Sequence, residues 1–457
     1  MSLQSPALLD MSLQTALLDR DERAAADPVQ CADLSRRWTI VSVFGLATAG
    51  NAFMWFDYSA IPQIFTGSFG VGDSGLNWTY TIALLATLPS APLAAVQLER
   101  RNYGTMFTMA GLNAVGALLR YLSVSLDKPS YALAMLSSVA LGLGTGVILC
   151  SITNLACTWF PPSERAFAAS VAAQANSAGW ALGAVIVPST VSTLGQLKQL
   201  LVIQLLVVVA STVLFGALYR AKPPNAAQPA PKPLDVMAQK SSDKIAHVLL
   251  KLLHNRQYVV QSFCYTIVAG VAFTVPAIQA EIFTAKGVSD STSAWTNFAF
   301  IASGVICGVI CSRHVTRPVQ FGRVLRMMFV IGAAALTVLA VGIAHLDPHG
   351  RGFVVFTVCM MTVAGSGLLG FLGIGLQAVS EVAHPVGETY SAGLTEWMIQ
   401  IAAAILTQVS SGAVGFWLCI SVLWIVVPVF GFMFDESCYH AEPPDDPPQP
   451  PTPQRTL

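Results

Sequence analysis

In the stretch NAFMWFDYSAI, residues 51–61, a carboxylate stands among aromatic side chains with no lysine or arginine nearby in sequence. Asp57 lies two residues from Trp55 and next to Tyr58. An aromatic face attracts an organic cation by about 0.5–2 kcal/mol, depending on desolvation. Far along the chain, Glu396 stands four residues from Gln400, and Asn176 and Phe273 sit in other apolar runs. Acids, amides and rings in this mixture suit binding of a cation, or of a proton plus a polar solute, better than binding of an anion. Bond-breaking chemistry has no footing here. There is no nucleophile–base arrangement, no metal-spaced histidine set and no phosphate loop. LGLGTG, residues 141–146, falls inside an apolar helix, so no nucleotide or other cofactor is expected. Haem also fits poorly, because all seven histidines lie in predicted loops, tails or helix ends, whereas haem iron wants an axial ligand and its propionates want cations. Tyr58, the cysteines and the methionines keep a haem reading open.

The elements that position these residues follow from composition. Apolar residues make up 54% of the chain and charged ones 11%, against about 25% charged in a soluble domain. Runs long enough to cross a bilayer as helices recur throughout. Twelve spans are expected, near 39–65, 77–98, 104–125, 131–158, 166–191, 199–219, 258–284, 293–312, 323–345, 353–379, 387–409 and 412–433. The fold class is therefore an all-α integral membrane protein with the lipid bilayer as solvent. Its parts are an N-terminal tail (1–38), a six-helix bundle (39–219), a polar linker (220–256), a second six-helix bundle (257–433) and a proline-rich tail (434–457). That tail, EPPDDPPQPPTPQ, is expected to be extended, and a cytosolic adaptor could read its PxxP spacing. The nine cysteines lie mostly in apolar runs and read as packing residues, and a net charge of zero gives no pointer to nucleic acid.

Charge placement sets the expected orientation. Nineteen lysines and arginines fall on the side that holds both ends, and five on the other, which puts both termini in the cytosol. Internal matches relate the two halves. AGNAF (49–53) answers AGVAF (269–273), and LGLGTG answers GSGLLGFLGIG (365–375). PPSE precedes Asn176 as PVGE precedes Gln400, with twelve residues from glutamate to amide in each case. Twelve residues at 1.5 Å each place both amides about 18 Å deep, near the middle of a hydrocarbon core about 30 Å thick. Such amides line a wet cavity or bond to neighbouring helices. Ala175, Gly179 and Gly183 have the spacing of close helix packing. A charge in mid-membrane costs about 2.5–3.5 kcal/mol, so Asp57 needs a partner. Cationic cargo, a proton, or neighbours such as Asn51 or Tyr58 could serve.

These segments also carry a resemblance. NAFMWFDYS, NW (77–78), GLNAVGALLR (111–120), WFPPSE (159–164), NSAGWALG (176–183), EVAHPVGE (381–388) and SAGL with Gln400 occur in one order. The chain resembles the major facilitator superfamily and, within it, the feline leukaemia virus subgroup C receptor-related transporters. The resemblance implies a two-bundle fold working by alternating access. It implies choline or an ethanolamine-like amine as cargo, with Trp55, Phe273 and Gln400 enclosing the ammonium group. Haem and a B6-group vitamin are the other cargoes that the family suggests. Differences from the choline carriers are specific. Phe273 replaces a tyrosine, Ser177 a glutamine, Asp57 a glutamine and Glu396 an asparagine. Both acids thus stand where those relatives are neutral.

The expected function is a multi-pass transporter of a small organic cation, in the plasma membrane or else an organelle membrane. Substrate contacts are expected from Trp55, Asp57, Tyr58, Asn176, Phe273, Glu396 and Gln400. A haem carrier, a proton-coupled carrier of a vitamin or other polar solute, and a transport-dead receptor or scaffold are the alternatives.

Overall fold

The computed structural model describes residues 36–223 and 241–433, apart from 349, 385 and 411. The N-terminal tail, the proline-rich start of the linker and the C-terminal tail lie outside the described residues. Within them the architecture is helical, with no strand.

The first apolar run is not one helix. It forms α1 (Arg37–Met54), a one-turn α2 (Phe56–Ser59) and α3 (Pro62–Phe69). Pro62 explains the last break. A proline disfavours helical geometry in the residue before it, and Ile61 sits at φ −134°, ψ 55°. α3 ends at Gly70, whose φ of 64° is the left-handed conformation that closes helices. The second and third expected spans merge into α4 (Asp73–Ser125), 53 residues long. At 1.5 Å per residue that is about 80 Å, more than twice a hydrocarbon core. Its one non-helical residue, Arg101 at φ −142°, ψ 60°, falls in the charged stretch where a loop was expected.

α5 (Tyr131–Trp159), α6 (Pro162–Thr190) and α7 (Leu194–Leu218) complete the first half. The hydroxyls of Ser130 and Thr193 accept from the Leu133 and Gln196 amides, capping α5 and α7. In the expected linker, α8 (Ser241–His254) forms instead of loop. Val248 and Leu252, four apart, bury one face of it. The second half holds α9 (Arg256–Ala285), α10 (Asp290–His314), α11 (Phe321–His345), α12 (Arg351–Leu368), α13 (Leu372–Val382), α14 (Glu388–Val409) and α15 (Gly412–Met433). The expected span 353–379 therefore breaks between Leu368 and Leu372, inside its glycine-dense segment.

Nine stretches among the described residues are long and apolar enough to cross a membrane. α6 and α14 are not among them, because their polar residues lower the hydropathy. They are the helices that carry Asn176, Glu396 and Gln400. Glycines let the halves build alike. A Cβ on Gly142 would overlap the Ala83 carbonyl of α4, and one on Gly365 would overlap the Phe300 carbonyl of α10. α6 lays Gly179 and Gly183 against the backbone of α1 at Ala49 and Phe53. On its other side α6 packs against α10 and α13, while α14 packs against α4 and α5. Asn176, Glu396 and Gln400 thus ride on helices that join the two halves.

Candidate functional site

Asp57 is fully buried, and its charge is answered from within the first half. Arg120 of α4 donates from Nη1 to Asp57 Oδ2 at 3.0 Å, and from Nε to Ser137 Oγ at 3.0 Å. Gln204 of α7 donates to the other carboxylate oxygen at 3.1 Å. The Arg120 guanidinium also stacks 4.5 Å from the centre of the Tyr58 ring, whose hydroxyl meets Ser123 Oγ at 3.1 Å. Neither neighbour named for it in the sequence is the partner in the structure. Asn51 and Tyr58 bond elsewhere, and the counter-charge comes from 63 residues away. Sequence distance hid it, because α4 returns beside α1 only after its kink.

Trp55 lies at the break that ends α1, half-buried. Its indole donates to Asn51 Oδ1 at 3.3 Å and meets Tyr80 edge-on at 5.1 Å. Asn51 is itself held. It donates to Asn113 Oδ1 at 2.8 Å and accepts from Thr145 Oγ1 at 2.9 Å. Asn113 donates onward to the Ala47 carbonyl at 3.0 Å. The Trp55 ring is therefore fixed by a network of α1, α4 and α5.

Glu396 differs. It is 7% exposed, and its one hydrogen-bond partner among the described residues is the Tyr265 hydroxyl, at 3.3 Å. That hydroxyl also contacts the Leu372 carbonyl at 2.9 Å, in the first turn of α13. No ion pair to Glu396 is present among the described residues. Asn176 and Gln400 are half-buried, and neither bonds to a described residue. Phe273 meets Trp180 of α6 across the two halves, with ring centres 4.9 Å apart and planes at 81°. Among the described residues no ring contact joins Trp55 to Phe273. Asp57, Tyr58 and Trp55 gather in the first half, whereas Phe273 and Glu396 sit on α9 and α14 of the second.

Between the halves, hydrogen bonds gather toward one end. Asn154 donates to Thr389 Oγ1 at 2.9 Å, Tyr390 to Glu99 Oε2 at 3.0 Å, and Gln174 to the Leu369 carbonyl at 2.9 Å. Trp397 donates to the Leu88 carbonyl at 2.9 Å. Leu88 has that carbonyl to offer because Pro92, four residues on in α4, lacks the N–H that would have taken it. Most of these bonds lie beside Glu99, the end of α5 and the start of α14. That is the end the arginine and lysine pattern assigns to the cytosol. Toward the other end, no hydrogen bond joins the halves among the described residues, and the Trp180–Phe273 ring pair is a contact between them without one. Two clefts, of about 370 and 310 Å³, each lie within one half: one along α10, α11 and α12, the other along α1, α6 and α7. Neither is lined by a candidate residue, although Gln204, which bonds Asp57, touches the second.

Sequence reasoning missed Arg120 as the partner of Asp57, and it missed Tyr265, Gln174, Trp180 and Trp397. A signal existed for one of them. Trp180 follows Asn176 by four residues, and residues four apart on a helix share a face.

The Major Facilitator Superfamily profile matches residues 42–407. Solute carrier family 49 member A3 of Danio rerio is 26% identical over 396 residues, covering 85% of this chain and 80% of that protein. The choline/ethanolamine transporter FLVCR1 of Felis catus is 24% identical over 394 residues, covering 83% and 68%. Among solved structures, the transporter FucP in its outward conformation superposes with a TM-score of 0.63 at 15% identity, covering 87% of this chain and 98% of that one.

Proposed function

We propose, from the premise that this chain belongs to the major facilitator superfamily, that it carries a small organic cation, choline or an ethanolamine-like amine, by alternating access. It is a membrane transporter of the FLVCR-like kind, and its homologues are transporters rather than enzymes. The observation that carries the cation reading is Glu396. It is buried, lacks a cation from the protein among the described residues, and shares α14 with Gln400. Asn176, Phe273 and Gln400 supply amide and aromatic contacts in this reading, with Trp55 held ready by its network. Asp57 and Tyr58 shape the first half behind the site.

Twelve crossings in two six-helix bundles, 39–219 and 257–433, complete the proposal. The kinked α4 counts as two crossings, α12 with α13 as one, and the matching glycine contacts support the repeat. Both termini and 220–256 are cytosolic, and the bonded end is the closed cytosolic gate of an outward-facing state. The plasma membrane is the proposed residence, and the tail 434–457 the place for an adaptor. A proton-coupled carrier of a vitamin or other polar solute is the second reading, favoured by the hydroxyl that faces Glu396.

Thermal-shift screening of purified protein tests the class. Choline or ethanolamine should raise the melting temperature, and pyridoxine, haem and amino acids should not. A shift with pyridoxine alone would favour the second reading, and no shift with any solute would favour a scaffold. Asn176→Leu and Gln400→Leu should each abolish uptake while the protein stays folded and in the membrane. Misfolding of both, with normal uptake per folded molecule, would instead make the amides helix glue.

A further inference from the structure

We propose that Trp180 is a cargo-contacting, specificity-determining residue: its indole face takes the ammonium group and its Nε1–H takes an acceptor oxygen of the same cargo. The inference rests on the organic-cation reading and narrows its substrate class to amines that carry a hydroxyl or similar oxygen.

Position comes first. Trp180 lies four residues beyond Asn176 on α6, so the two side chains share a helix face one turn apart. It stands 15 residues past Arg165, while Phe273 stands 17 past Arg256 and Trp55 stands 18 past Arg37. A spread of three residues is about 5 Å along a helix axis, so the three rings lie at one depth.

Its surroundings point between the halves. α6 belongs to the first half and α9 to the second, and Trp180 meets Phe273 across that divide. The pair is perpendicular, which engages one of the four ring faces. A ring face outside that contact would attract a cation brought against it. This contact must change when the halves rock, so a cargo held there is read by both.

The indole nitrogen is the second observation. Trp55 Nε1 is committed to Asn51, and Trp397 Nε1 to the Leu88 carbonyl. Trp180 makes no hydrogen bond to a described residue, and its nitrogen is not among the buried polar atoms left without a partner. It is a half-buried donor that still has access. Asn176 and Gln400 show the same condition. A site with an indole N–H and two amides unspent suits a cargo with an oxygen of its own, beyond a bare quaternary ammonium.

Choline and tetramethylammonium separate the two roles, because both are quaternary and only choline has a hydroxyl. Binding of each to purified full-length protein would be measured by titration calorimetry for wild type, Trp180→Phe and Trp180→Leu. Phenylalanine keeps a ring face and removes the N–H. Trp180→Phe should weaken choline by about tenfold, and tetramethylammonium by about threefold or less. Trp180→Leu should weaken both by about tenfold or more. A wild-type choline-to-tetramethylammonium ratio in Trp180→Phe would overturn the hydrogen-bonding role. Unchanged binding of both in a folded Trp180→Leu would overturn the contact altogether. Should the leucine variant fail to fold, the phenylalanine ratio decides alone. A wild type that binds neither probe overturns the organic-cation reading itself.

Discussion

Each half of the molecule buries a carboxylate, and the two are treated in opposite ways. Asp57 is met by Arg120 and Gln204, with Tyr58 and Ser137 completing the Arg120 shell. Glu396 is met by one phenolic hydroxyl. The sequence repeat that makes the helices alike does not make their electrostatics alike. At Asp57 the protein itself supplies the counter-charge. At Glu396 no cation is supplied by the described residues, which is what the proposed cation reading rests on. Intramembrane acids are functional by default, and this pair shows that the default must be divided residue by residue.

The largest expected effect breaks the first member. Arg120→Leu leaves Asp57 buried beside Gln204 alone, and stranding one partner of a buried pair costs about 3–5 kcal/mol. The variant should be lost from the membrane or melt far below wild type in a size-exclusion melting assay. Replacing both members with leucine removes the stranded charge, so Asp57→Leu with Arg120→Leu should recover most of the melting temperature. Equal damage in the single and double variants would mean that the pair acts through shape rather than charge.

Glu396→Gln is the converse. It keeps the volume and leaves no cation unpaired, so the melt should move by no more than about 1 kcal/mol. Uptake of an amine cargo should nevertheless fall by about tenfold or more, the equivalent of about 1.4 kcal/mol in affinity. A large melting loss with uptake normal per folded molecule would return Glu396 to the architectural class and collapse the contrast.

Much of this was legible in the chain, and the failures share a cause. Apolar run length placed the helices, because each crossing must span the hydrocarbon core. Small-residue spacing marked the close packing of Gly179 and Gly183 against α1, because nothing larger fits against its carbonyls. Counting from Glu164 and Glu388 gives Asn176 and Gln400 matching positions along α6 and α14. Partners distant in sequence could not be read. Arg120 is 63 residues from Asp57, and Tyr265 is 131 from Glu396. The backbone break at Pro62 was missed because its signal was a single residue. α8 was missed because the proline-rich residues before it dominated the reading of the linker.

Between the halves, Trp397→Phe tests whether the bonded end is a gate. The substitution keeps the ring and removes the N–H that satisfies the Leu88 carbonyl. One hydrogen bond is worth about 1 kcal/mol, or about fivefold in the balance of closed and open states. Cys157 is a native reporter, since its thiol contacts Gln377 across the same seam. Maleimide labelling of Cys157, followed by peptide mass spectrometry, should quicken by about that factor. An unchanged rate would mean that Trp397 packs without latching.

The smallest effect, and the one that sharpens the contrast most, comes from Tyr265→Phe. The phenol has one proton and two acceptors in reach. Leu372 O can only accept, and at 2.9 Å it is nearer than the carboxyl oxygen at 3.3 Å. If the proton goes to Leu372, the contact with Glu396 is favourable only when Glu396 brings a proton of its own. If the proton goes to Glu396, the first turn of α13 loses a tie. The residue therefore couples the state of Glu396 to α13, which Gln174 of the other half holds nearby through the Leu369 carbonyl. Asp57 has no such alternative, because each of its oxygens already faces a nitrogen donor. Tyr265→Phe should lower stability by only about 0.5–1.5 kcal/mol. If a proton occupies Glu396 during the cycle, the same variant should move the pH midpoint of uptake by about half a unit or more. Asp57→Glu, if it folds, should leave that midpoint where it was. A midpoint that stays fixed in Tyr265→Phe while uptake remains sensitive to Glu396→Gln would assign the carboxylate to cationic cargo alone.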